Sequence, residues 1–164
     1  MTTYGDYTLY IELSKKKVNS QVFDFNFDWS KEMETKISDI DSQHKEFFRI
    51  GRDMEQLLLT KCANVQEKEL LDIICDLREY VAYHFYEEEV IMKEADYSKM
   101  EQHVKQHNEF KQTIMNIDCP ALAKNPYVEL KKIRNMVVDW VFGHMLHEDM
   151  DMAREVRHKS MADA

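Results

Sequence analysis

Two periodicities divide the chain. Before about residue 28, apolar and polar positions alternate: Tyr7, Leu9, Ile11 and Leu13 are interleaved with Thr8, Tyr10 and Glu12. Phe23, Phe25, Phe27 and Trp29 are likewise interleaved with Asp24, Asn26 and Asp28. A repeat of two predicts extended chain, with the polar residues 14–20 as a hairpin loop. A lone hairpin is marginal in water, so this arm is expected to pack against the rest of the chain or a partner.

Beyond it the repeat changes to three and four, the signature of amphipathic helices. A first helix, about 38–60, aligns Ile40, His44, Phe47, Phe48, Gly51, Met54 and Leu58, with Ser38-x-x-Asp41 as a weak capping box. A second, about 66–95, aligns Leu70, Ile74, Leu77, Val81, His84, Glu88 and Ile91. A third, about 98–118, aligns Met100, His103, His107, Phe110, Ile114 and Ile117, and Cys119-Pro120 is expected to stop it. Asn125-Pro126 opens a fourth, a cap residue followed by proline at the first helical position. Its inner face reads Leu130, Ile133, Val137, Val141 and His144, with Trp140 beside it. The expected fold is all-α: an up-down-up-down four-helix bundle over residues 29–160, with residues 1–28 as an extended N-terminal arm.

Composition supports this reading. Only 3 Gly and 2 Pro among 164 residues leave little material for the turns a sheet needs. A net charge of −9 argues against nucleic-acid or anionic-membrane partners. No apolar run is long enough to span a bilayer, and residues 1–6 lack the features of a signal peptide. Three cysteines without C-x-x-C spacing suggest reduced thiols and a cytoplasmic location.

The chemistry lies in the histidines. Five of the seven, His44, His84, His103, His107 and His144, fall on the predicted inner faces of all four helices. A single histidine on an apolar face is ordinarily a satisfied core residue. Five of them would need five separate buried partners, unless a metal replaces their hydration. His103 and His107 are four apart, as are His84 and Glu88, so each pair shares a helix face. In the last helix Glu148 lies one turn beyond His144, whereas Asp149 lies about 140° round from it on an ideal helix. Helix geometry therefore favours Glu148 as the acidic ligand, and the residues alone leave the choice open.

Five imidazoles and two carboxylates exceed one tetrahedral zinc site. Two six-coordinate ions accommodate them better. With both carboxylates and one hydroxide or oxide bridging, one coordination position remains open, and the mixed donor set favours iron and dioxygen chemistry. His147-Glu148 begins a zinc-protease motif that fails at Asp151, and the Glu-x-x-His pairs of carboxylate-rich di-iron bundles are missing from the inner faces. His147, His158 and the run Glu87-Glu88-Glu89, apart from Glu88, are expected to face solvent.

The chain resembles the hemerythrin family, in particular its single-domain bacterial members. The resemblance rests on Trp29…Asp41-Ser42-Gln43-His44-Lys45, His84-Phe85-Tyr86-Glu87-Glu88, His103-Val104-Lys105-Gln106-His107 and Trp140…His144-Met145-Leu146-His147-Glu148-Asp149, in that order. It implies two irons with a bridging oxo or hydroxo group. His103, His107 and His144 would bind the filled iron, His44 and His84 the iron with the open position, and Glu88 and Asp149 would bridge. It also selects Asp149 over Glu148, which requires the last helix to loosen beyond His144, with Gly143 a contributor. Phe47, Phe85, Trp140, Val141 and Met145 would form an apolar pocket wall. The implied function is reversible dioxygen binding for storage, delivery or sensing, without catalysis. The alternatives are a di-iron enzyme that reduces nitric oxide or peroxide or oxidises ferrous iron, and a metal-responsive interaction module.

Overall fold

The computed structural model describes residues 25–162. The predicted extended runs and hairpin before residue 25 lie outside the described residues. Four helices build the body: α1 (Ser38–Leu59), α2 (Glu67–Glu94), α3 (Met100–Met115) and α5 (Pro126–Trp140). A short α4 (Cys119–Lys124) joins α3 to α5, and α6 (Glu148–Ala162) continues α5 after a π turn at Val141–Met145. α1 packs on α2, α2 on α3, and α5 back on α1. The all-α bundle is as expected, and no strand occurs among the described residues.

The helix ends explain the boundaries. Gln66 and Glu69 form a reciprocal capping box that starts α2. The expected Ser38–Asp41 box does not form. Asp41 instead reaches back, accepting from the Thr35 amide at 2.7 Å, the Thr35 hydroxyl at 2.8 Å and the Lys36 amide at 3.1 Å. Pro120 does not simply stop α3; it sits in the first turn of α4, which Asp118 caps by accepting from the Ala121 amide. α1 and α2 both end without glycine. The Cys62 amide donates to Leu57 O and the Tyr97 amide to Met92 O, each across a residue with positive φ, Lys61 and Asp96 respectively.

The core falls into two apolar clusters. The larger gathers Phe47, Phe48, Leu77, Val81, Phe85, Phe110, Val137 and Val141 with many neighbours. The smaller comprises Ile40, Met92, Tyr97, Met152 and Val156. α1 and α2 each leave the first cluster and enter the second across a polar layer: Phe47–His44–Ile40 on α1, Phe85–Glu88–Met92 on α2. Phe25 and Phe27 are buried and Asn26 and Asp28 exposed, so their alternation persists as a segment laid on the bundle. Phe27 takes a left-handed φ of 57°, and its carbonyl accepts from Arg52 at 2.8 Å. Its ring presses on the α1 backbone at Gly51, where an added Cβ would come within 2.3 Å of the ring.

Candidate metal centre

The polar layer collects all seven expected donors. Glu88, His103, His107, His144 and Asp149 form one buried group, and His44, His84, Glu88 and Asp149 a second. Within each, the potential ligand atoms lie within 4.8 Å of one another. The two groups share both carboxylates, and each of the seven residues is buried.

Every imidazole presents Nε2 to these carboxylates. His103 Nε2 lies 2.6 Å from Glu88 Oε1 and 3.0 Å from Asp149 Oδ1. His107 Nε2 lies 3.1 Å from Glu88 Oε1, and His84 Nε2 3.0 Å from Glu88 Oε2. His44 Nε2 and His144 Nε2 lie 3.0 and 2.9 Å from the two Asp149 oxygens. Three rings are oriented from behind: His84 Nδ1 donates to Gln43 Oε1, His144 Nδ1 to Gln106 Oε1 at 2.7 Å, and His107 Nδ1 to Glu89 Oε2 at 3.0 Å. Such bonds fix the tautomer that leaves Nε2 with a lone pair. Glu89 is thus part of the centre's support, where its acidic run suggested a solvated face.

Stacking fixes the rings further. Phe85 lies on His107 at 4.0 Å and 4°, Trp140 on His144 at 3.9 Å and 11°, and Tyr80 on His84 at 4.8 Å and 17°. Of the expected pocket wall, Phe47, Phe85, Val141 and Met145 are buried and Trp140 half-buried. Phe85 and Trp140 cover the three-histidine side, and Phe47 packs against Tyr80. Tyr80 was not anticipated as a site residue; its position four residues before His84 was the available signal.

Asp149 reaches the layer because the last helix changes pitch. Leu146 N donates to Val141 O at 2.8 Å, a π bond spanning five residues, and a short turn then resets the helix at Glu148. Five residues make about an α turn and a half but little more than one π turn. His144 and Asp149 consequently face the same way. Glu148 turns aside to His147, 3.3 Å away. Gly143 is exposed, and an added Cβ there would meet nothing within 4 Å, so the turn does not depend on a missing side chain.

The electrostatics fit a cation. Burial and mutual repulsion oppose ionisation of Glu88, but bonds from His103, His107 and His84 hold its carboxyl well below the usual range. Asp149 is held low in the same way: burial opposes its charge, and His144, His103 and His44 outweigh that. Burial also opposes charge on His103, yet Asp149 and Glu88 push it up to about 10, and His107 is raised beside Glu88 and Glu89. Burial depresses His84 and His144. Glu88 Oε2, Asp149 Oδ1 and His144 Nε2 are buried without a hydrogen-bond partner. Lone pairs facing one another at 3 Å in a dry layer repel, and a cation between them removes that repulsion.

Fold and site define a cation-binding helical bundle with two histidine groups joined by two carboxylates. Residues 35–156 match the family described as the hemerythrin HHE cation binding domain, and the chain belongs to the hemerythrin family. It is similar to a bacteriohemerythrin of Clostridium acetobutylicum, 27% identical over 125 residues covering 76% of this chain and 97% of the relative. It is also similar to a bacteriohemerythrin of Campylobacter jejuni, 28% identical over 73% of this chain and 87% of the relative. A myohemerythrin of Theromyzon tessulatum is 25% identical over 75% of this chain and 88% of the relative. None of the described helices is long and apolar enough to cross a membrane.

Proposed function

We propose that this chain binds dioxygen reversibly at a pair of non-heme iron ions and is not an enzyme. The observation that carries the reading is the overlap of two donor groups through Glu88 and Asp149. His103, His107 and His144 would complete one ion with the shared carboxylates, and His44 and His84 the other. The second group is one imidazole short of the first, so an exogenous ligand belongs on the His44–His84 side. When bound, the iron pair supplies the electrons and the open position that dioxygen binding requires.

The chain's own residues do the rest. Gln43, Gln106 and Glu89 hold the Nδ1 protons of His84, His144 and His107, keeping each Nε2 available as a donor. Phe47, Val141 and Met145 exclude water. A dry site retains a polar, reactive ligand that water would otherwise help to leave. The bridging oxo or hydroxo group, and a role in storage, delivery or sensing, belong to the same proposal.

The test is a cycle of anaerobic reduction, exposure to air and removal of dioxygen. The visible absorption should appear and disappear over repeated cycles. Conversion to a permanently ferric protein in one cycle would overturn reversible binding. Sustained consumption of nitric oxide or peroxide with a supplied reductant would show an enzyme instead.

A further inference from the structure

Among the described residues, one buried side-chain hydroxyl has no hydrogen-bond partner: that of Tyr80. It stands one turn before His84 on α2, with its ring stacked on that imidazole and tilted against Phe47 of α1 at 4.6 Å. A phenol is longer than an imidazole. Lying beside His84, it has its hydroxyl buried within the bundle. The residue is 6% exposed, so water does not satisfy the O–H from outside.

A phenol is protonated at neutral pH. It is therefore a fixed donor. Histidines face the carboxylates, His84, His103 and His107 at Glu88 and His44, His103 and His144 at Asp149, and the Tyr80 hydroxyl bonds to neither. A buried donor left unsatisfied costs about 1–3 kcal/mol. Tyr80 also stands on the side where the donor set is short. A surface cleft of about 300 Å³ is lined by Gln43, Glu46, Tyr83, Tyr80 and His84.

We propose that Tyr80 Oη donates a hydrogen bond to a small ligand with an acceptor end, of the size of dioxygen or azide, held on the His44–His84 side. Tyr80 is thereby a positioning residue that sets how long the ligand is retained. The proposal rests on the two-iron reading above and adds a donor that the apolar wall lacks.

The experiment compares iron-loaded wild type with Tyr80→Phe, using azide on the ferric protein as the probe. Both proteins should hold the same iron. The variant should release azide about tenfold faster, as expected for one lost hydrogen bond. The azide stretching band should shift between light and heavy water in wild type only. Equal release rates and equal band positions would overturn the proposal while leaving the iron centre standing. Absence of any azide complex in both proteins, despite full iron, would overturn the open-position reading and this proposal together. Melting of the metal-free proteins gives an independent check. Deleting a hydroxyl with no structural partner should leave Tyr80→Phe at least as stable as wild type. A lower melting temperature would show that the hydroxyl serves the fold, and would overturn the proposal.

Discussion

Glu148 and Asp149 are adjacent acids with opposite surroundings: Asp149 is buried among three imidazoles, and Glu148 pairs with a half-buried His147. Asp149→Asn should therefore abolish two-iron loading, and Glu148→Gln should leave it intact, as read by iron per chain. Metal loss in Glu148→Gln with retention in Asp149→Asn would reverse the assignment. Gln106 acts through His144, so Gln106→Leu should weaken metal binding by about 10–100-fold without unfolding the chain. A titration with ferrous iron measures it. The metal-free centre also has a pH signature. His103 is raised from its ordinary 6.5 to about 10, so its contribution to the metal-free fold is full below pH 6.5 and lost as pH rises through 10. Iron must displace that proton. Apparent metal affinity should rise with pH across this window, with measurable proton release on loading in weakly buffered solution. Pure helix geometry pointed to Glu148, because a π turn leaves no compositional mark. The spacing His144 to Asp149 within the family resemblance was the only sign of it.

At the scale of elements, apolar periodicity placed the first three long helices within a few residues of their ends, and Asn125-Pro126 placed the start of the fourth. It reported less about how they terminate. Lys61 and Asp96 adopt left-handed φ where glycine is the usual signal, so the ends of α1 and α2 carry no glycine to read. Pro120 was read as a stop, yet proline is equally suited to a first turn, and Asp118 supplied the cap that decides it. The donors on the inner stripes were legible because i,i+4 spacing puts them on one face. Tyr80 and the outer partners Gln43, Gln106 and Glu89 were not, since polar residues beside a stripe are common in solvated helices. Gly51 carries an element-level prediction. Gly51→Ala gains up to about 1 kcal/mol of helix preference but drives a methyl into the buried Phe27 ring, an overpacking cost of about 1–3 kcal/mol. The net effect should be a lower melting temperature. Gly143→Ala, with open space around the added methyl, should show no such loss.

Across the whole molecule, the centre is a polar layer between two apolar clusters, joining residues of α1, α2, α3, the π turn and α6. Without metal, its two carboxylates face His103 and His107, both of whose pKa values they raise, so the bundle should retain its helical circular dichroism when iron is chelated. Metal bound to the folded state alone adds stability by mass action, about 4 kcal/mol at a thousandfold excess over the dissociation constant. Chelation should accordingly lower the melting temperature, and restored iron should raise it. The alternating pattern before residue 25 continues into Phe25 and Phe27, which the bundle buries. The central claim is that two donor groups sharing Glu88 and Asp149 hold two irons. Quantifying iron in the anaerobically loaded, desalted protein tests it most directly. Two irons per chain, falling sharply in Glu88→Ala, is the predicted result; one iron per chain, or full loading of that variant, would contradict it.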